Sequence, residues 1–393
     1  HAVDDGRESL LANEAVFEYM VTENGIYLWV VTRAGVSDPI FIPYPRQDLI
    51  ADVRALREAI ETTEPDPDLI ALQDKLSSLY TKLVQPELAE LGEGIDTLVF
   101  IPSGPLWYVP FGALGNPYLV EKYTIAYLPS LAALTSLSDT ESQTVSRGVI
   151  ALANPTLSPE QIKALGMTGR KYQYEELEKA VRDFADSYSG EQDVVYTRSD
   201  AEEPRAYRFD GAFDVAIYAC HGLFNPSFPL ESKLLLAPGV NTTSEDDARD
   251  PEDGDYSAKE VLLTDHRGVE LVVLAACETL LPSFRNLQDA LGTLSGTDPD
   301  EVELTPEQLE QLVVGDEVVG LARAFLSSGA QSVLGTLWQA NPRAITKLLV
   351  AMCEHHRDGM SWAQALCAAQ RELIPVYANI WYWAPYQLMG RWR

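Results

Sequence analysis

The chain has 393 residues, with 29 Lys and Arg against 59 Asp and Glu, a formal net charge of −30. A hydrophobic share of 46% supplies a packed interior for roughly two domains or one large composite, which excludes disorder and coiled coil over most of the length. So large a negative excess repels phosphate backbones and anionic lipid, which argues against nucleic-acid and membrane partners and for neutral or basic ones.

From the N-terminus, apolar and β-branched runs at 14–21, 25–32 and 39–43, broken by Asn24-Gly25 and Gly35, predict an antiparallel edge. Helical spacing follows over 46–62 and 68–84, where Pro65 and Pro67 stop one helix and start the next, and Pro86 opens a further short helix. A buried strand is expected at 97–102 before the turn Ser103-Gly104-Pro105, and a second apolar stretch at 123–128. The polar segment 135–147 predicts a domain boundary. From Gly148, apolar strands at 149–153, 193–196, 213–220, 269–276 and 331–338 alternate with helices at 172–188, 317–328, 344–356 and 362–373, and a short helix precedes 213. That alternation predicts an α/β fold with a mostly parallel central sheet covered on both faces. Two acidic stretches, 243–255 and 295–311, read as solvated loops, and no repeat of solenoid length is present.

Cys220, Cys277, Cys353 and Cys367 show no C-x-x-C spacing, which fits a reducing cytoplasm better than a disulfide scaffold or a zinc ribbon. No apolar run is long enough for a membrane span and the opening 1–8 lacks a signal-peptide layout, so a soluble protein is expected. The first residue is His1 rather than Met, which suggests an excised or processed piece.

Two apolar strands end in reactive residues: 214–219 leads into Cys220-His221-Gly222, and 271–276 into Cys277-Glu278-Thr279. In an open parallel sheet the carboxyl ends of strands face a ligand crevice, so His221 and Cys277 make a candidate dyad if their strands are neighbours. An imidazole beside a thiol promotes the thiolate and later protonates a leaving amine. Gly222, without a side chain, and Cys277 offer backbone N–H groups as oxyanion donors. Cys220 alternates away from His221 and reads as packing. Cys353, His355 and His356 do not converge at helical spacing, and aligning Gly254 on a Ca²⁺ loop puts Arg249 and Pro251 where ligands are needed, so no metal and no cofactor is expected. Trp381-Tyr382-Trp383 is assigned to packing.

These residues resemble a known family. Cys220-His221-Gly222-Leu223-Phe224 with 229–236, then 271–279, 315–326 and 329–338, resemble the CHAT domain in order and content; so do Ile101-Pro102-Ser103-Gly104, 109–114, Tyr127-Leu128-Pro129-Ser130 and Trp383-Ala384-Pro385-Tyr386. CHAT proteins look like relatives of caspases and separases. The resemblance implies a caspase-like three-layer sandwich, with an inactive pseudo-caspase half at 1–140 beside a catalytic half at 141–393. It implies His221 as general base and acid, Cys277 as nucleophile and Gly222 as an oxyanion donor, in a cysteine endopeptidase acting on specific protein substrates. Relatives suggest a regulated bacterial effector in immunity or cell death, with a gasdermin-like or other dedicated target and an activating sensor or repeat module. The alternative is a noncatalytic CHAT scaffold or sensor component.

The chain also departs from the pattern. Leu280 replaces the Gly that follows Cys-Glu-Thr in many relatives, and 281–314 forms an acidic insertion expected either to gate the site or to need cleavage or ordering before activity. Separases, which cut after Arg, carry Asp after the Trp of Leu-Trp, whereas Gln339 stands here; metacaspases carry Asp two residues before the nucleophile, where Ala275 stands. Small Ala275 and Ala276 suggest an apolar substrate pocket, with Gln339, Asp316 and Glu317 also within its reach.

Overall fold

A computed structural model describes residues 7–61, 69–92, 94–134, 147–169, 175–207, 212–223, 225, 228–239, 253–275 and 320–393. The antiparallel edge forms as the sequence predicts. Strands β1 (Glu14–Thr22) and β2 (Gly25–Thr32) pair from Ala15–Thr32 to Thr22–Gly25, and β3 (Gly35–Val36) and β4 (Ile40–Ile42) add to β2. Gly25 is required there, because a Cβ would lie 2.6 Å from the carbonyl oxygen of Ile42.

Helices α1 (Arg46–Glu61), α2 (Leu69–Leu83) and α3 (Gln85–Glu90) follow, and α2 buries Leu72, Leu76, Leu79 and Leu83 along one stripe. Strand β5 (Thr97–Ile101) pairs in parallel with β1; after α4 (Leu119–Lys122), β6 (Thr124–Tyr127) pairs in parallel with β5. The second half runs β7 (Val149–Ala153), α5 (Pro159–Ala164), α6 (Glu175–Tyr188), β8 (Val194–Thr197) and β9 (Val215–Ala219). It continues with β10 (His221–Leu223), β11 (Lys233–Leu235), β12 (Asp255–Ser257), α7 (Ala258–Leu263) and β13 (Leu271–Leu274). Last come α8 (Gly320–Ser327), β14 (Ser332–Thr336), α9 (Pro342–Arg357), α10 (Trp362–Leu373) and β15 (Tyr386–Gly390).

One sheet carries the described main strands in the order β3-β2-β1-β5-β6-β15-β14-β13-β9-β7-β8, with β4 beside β2. From β14 to β8 every neighbour is parallel, whereas β15 runs antiparallel to β14 and meets β6 at a single pair, Met389 beside Tyr127. Every residue of β5, β7, β9 and β14 is buried, as central strands with two covered faces require. Strand β8, at the edge, is half-buried throughout. Because β7 leads one way to β8 and β9 leads the other way to β13 and β14, right-handed crossovers send their helices to opposite faces. Helices α6, α9 and α10 pack together, with Phe184 stacked 6.4 Å from Trp362; α7 and α8 pack together, with Phe325 5.4 Å from Tyr218 of β9.

Several local expectations are corrected. The short helix expected before 213 is two 3-10 turns, Arg198–Asp200 and Glu203–Tyr207. Asp255, expected in a solvated loop, belongs to β12 and pairs with Lys233, whose ammonium offsets its charge across the strands. The boundary expected at 135–147 lies outside the described residues except for Arg147, and so does the insertion 281–314. Among the described residues no helix is long and apolar enough to cross a membrane.

Candidate active site

Residues that begin or directly precede the main strands in both halves, Glu14, Thr97, Thr124, Glu270, Gln331 and Ser332, line one cavity, so the carboxyl ends of those strands share the opposite edge. On that edge β9 and β13 are parallel neighbours, in register from Val215–Leu271 to Tyr218–Leu274. After Ala219 the chain leaves the main sheet at the buried Cys220, and His221 opens a separate three-stranded antiparallel sheet by pairing with Leu235. His221 and Gly222 are half-buried, and Ala275 is buried just past β13. Gln339 is exposed past the end of β14, which pairs in parallel with β13. Cys277, Ala276, Asp316 and Glu317 lie outside the described residues.

Aromatic packing holds the small sheet in place. Tyr256 of β12 is fully buried, 5.8 Å from Tyr218 of β9 and 6.3 Å from Phe325 of α8, with Tyr207 edge-on at 5.3 Å. Burial pushes the phenols of Tyr218 and Tyr256 well above their ordinary range, so both remain neutral packing groups. The strand carrying His221 is thereby tied through β11 and β12 to the strand that delivers it.

Two polar residues reinforce that arrangement, and sequence reasoning missed both. Asn154, just past β7, has a left-handed φ of 50° and donates its backbone N–H to the carbonyl of Ala219 at 2.7 Å, two residues before His221. Its Nδ2 donates to Glu178 Oε1 at 2.6 Å, and that oxygen also accepts from Arg198 Nε at 3.0 Å. The signal was Asn154-Pro155 directly after an apolar strand, since Asn tolerates φ > 0 better than most residues. Glu203 is fully buried; it accepts from the Tyr207 hydroxyl at 2.5 Å and the Gly254 N–H at 2.9 Å, while its own N–H donates to Ala237 at 3.0 Å. It thus bridges the segments that follow β11 and precede β12. Burial, reinforced by Glu260 and Asp253, pushes its carboxyl up to about 8 against the opposing pull of the Tyr207 and Gly254 donors.

The other described histidines and cysteines serve packing or local pairing. His266 is fully buried with Nδ1 2.7 Å from Ser328 Oγ, and burial lowers its imidazole to about 4, so it is neutral. His355 Nε2 lies 2.7 Å from Glu372, and His356 stacks on Trp362 at 3.6 Å. Burial pushes the thiols of Cys353 and Cys367 up to about 12 and about 11, which keeps them protonated. Among the described residues no group of three His, Cys, Asp or Glu side chains could hold a metal. Trp383 is buried, as its packing assignment requires.

Separase of Saccharomyces cerevisiae, in two structures of its complex with securin, is similar over 99% of this chain at 12% identity, with TM-scores of 0.53 and 0.57. This chain spans only 31% and 30% of those separase chains. The Arg-specific cysteine proteinase gingipain R aligns with 88% of this chain and 74% of its own at 10% identity, with a TM-score of 0.42. No curated protein matches in sequence. The likeness to separase shows a shared fold, a large mixed α/β sheet that is mostly parallel. The CHAT domain model matches residues 73–391, which is most of the chain, and the protein belongs to the CHAT domain family.

Proposed function

We propose that this chain is a cysteine endopeptidase in which Cys277 is the nucleophile and His221 the general base and acid. The observation that carries the reading is the register of β9 on β13. Its last described pair is Tyr218 with Leu274, and His221 and Cys277 each stand three positions further along the sequence. Family membership and the separase-like fold support a protease kind of function.

The chemistry follows from the groups. A thiol of ordinary pKa about 8.5 is a weak nucleophile at neutral pH, and His221 takes its proton as Sγ attacks the peptide carbonyl. The oxyanion is met by the N–H groups of Gly222 and Cys277. Collapse breaks the C–N bond as His221 returns the proton to the leaving amine. Water, deprotonated by the same imidazole, then hydrolyses the thioester and frees the thiol.

The proposal extends to a pocket built from Ala275, Ala276 and Gln339, reached by Asp316 and Glu317, that takes a side chain of a dedicated protein substrate. It also includes a cytoplasmic effector role in bacterial immunity or cell death, with a gasdermin-like or other target and an activating sensor or repeat module. The test is a mass-spectrometric cleavage profile on a peptide or proteome library, wild type against Cys277→Ala, with neighbouring gene products added as candidate activators. Cuts that need Cys277 are expected. If every cut persists in Cys277→Ala, Cys277 is not the nucleophile; if none occurs with any activator, the reading gives way to a scaffold.

A further inference from the structure

Helix α1, in the first half of the chain, turns one guanidinium inward. Arg57 is 0% exposed, and its Nη2 donates to the carbonyl of Leu337 at 2.7 Å. Its Cζ lies 5.0 Å from the ring centroid of Trp338 and 6.0 Å from that of Tyr108. Leu337 and Trp338 stand just past β14 and are buried. The Leu337 N–H donates to Pro385 at 2.9 Å, and Trp338 Nε1 donates to the carbonyl of Trp381 at 3.0 Å. Next come the exposed Gln339 and half-buried Ala340, then Asn341, whose Oδ1 accepts from the N–H groups of Arg343 and Ala344 to cap α9. A two-residue strip is therefore fixed at both ends, and one end is held by a side chain 280 positions away.

A buried guanidinium gives up its hydration, so an apolar side chain of similar size would serve packing at least as well. What Arg57 adds is direction. Its planar donors hold the Leu337 carbonyl in one orientation, which a Met or Leu cannot do. Strand β14 lies beside β13, Val273 opposite Leu334, so the strip emerges next to the strand that leads towards Cys277 in sequence.

We infer that Arg57 is a positioning residue through which the first half of the chain sets the Gln339–Ala340 strip as a substrate-facing wall of the second. The word substrate rests on the peptidase reading; the clamp itself does not. Hydrogen–deuterium exchange over 333–341, steady-state cleavage and iodoacetamide labelling of Cys277 are measured on wild type, Arg57→Lys and Arg57→Met. In Arg57→Met, exchange at Leu337, whose N–H donates to Pro385, rises about tenfold or more while Val333 and Leu334 stay protected. KM rises about fivefold or more with kcat held within about twofold, and labelling of Cys277 keeps its wild-type rate. Arg57→Lys, which keeps the charge and one donor, recovers part of both effects and carries the test if Arg57→Met fails to fold. Unchanged exchange at Leu337 in the folded variants overturns the clamp. Faster exchange with unchanged KM overturns the substrate wall. Absence of Cys277-dependent cutting by wild type overturns the peptidase reading, and exchange still decides the clamp.

Discussion

Along one edge of one sheet, β5 in the first half and β9 in the second end in opposite ways. Past β5, the 3-10 turns Gly104–Tyr108 and Phe111–Ala113 bury Pro105, Leu106, Trp107, Tyr108 and Phe111, and Phe111 stacks 4.3 Å from Phe100. Past β9, the chain leaves the sheet at a half-buried His221, with Asn154 bonded to Ala219 two residues before it and the small sheet starting at it. Parallel strands offer a crevice at their carboxyl ends wherever they occur. The residues that follow each strand decide whether that end is filled with core. The contrast is consistent with the proposal that catalysis belongs to the second half and bracing to the first.

The comparison breaks outright if chemistry persists without its two reactive groups. Cys277→Ala and His221→Ala should each lower cleavage by about a thousandfold or more, read as product formed per hour under single-turnover conditions. The filled edge should answer differently. Phe111→Ala removes a fully buried ring and is expected to cost about 3–5 kcal/mol in urea unfolding, while iodoacetamide labels Cys277 at the wild-type rate in the folded protein. A labelling rate that falls together with stability would mean the two ends are not separable.

Much of this contrast is legible in the sequence, and the reasons for the exceptions are physical. The apolar runs at 97–101, 149–153, 215–219 and 271–274 announce buried parallel strands because both of their faces are covered. His221 is conspicuous because a reactive side chain directly follows such a run. Strands β10, β11 and β12 escape, since three residues carry no period, and β15 escapes too, its first residue noted only within the Trp383-Ala384-Pro385-Tyr386 resemblance. Arg57 escapes for another reason. An Arg on an amphipathic helix reads as solvated, and only the packing of α1 against the chain past β14 turns it inward.

The polar side of the comparison can be titrated. A folded-state carboxyl value of about 8 at Glu203, against an ordinary value of 4.5, means that the native state binds this proton more tightly than the unfolded chain. Stability from this group is therefore full below about 4.5 and is lost as pH rises through about 8, a change on the order of a few kcal/mol. Glu203→Gln, which cannot ionise, should flatten that decline. Thermal unfolding across pH 5 to 9 should bring the two proteins together at the acid end and leave the variant relatively more stable at the alkaline end. Parallel curves for the two proteins would show that Glu203 is not the group responsible.

The smallest effect isolates how the neighbouring strand holds the open end. Asn154 serves twice, with its left-handed backbone aiming an N–H at Ala219 and its side chain bonding Glu178. Asn154→Gly keeps the backbone and loses only the side-chain bond, for about 1 kcal/mol. Asn154→Ala loses the same bond and also meets the steric penalty at positive φ, for about 1 kcal/mol more. If the backbone bond is what steadies the approach to His221, labelling of Cys277 should stay near the wild-type rate in the Gly variant and slow in the Ala variant. Equal slowing in both would move the credit to the Glu178 bond and its partner Arg198, because the backbone geometry that Gly preserves would then be insufficient.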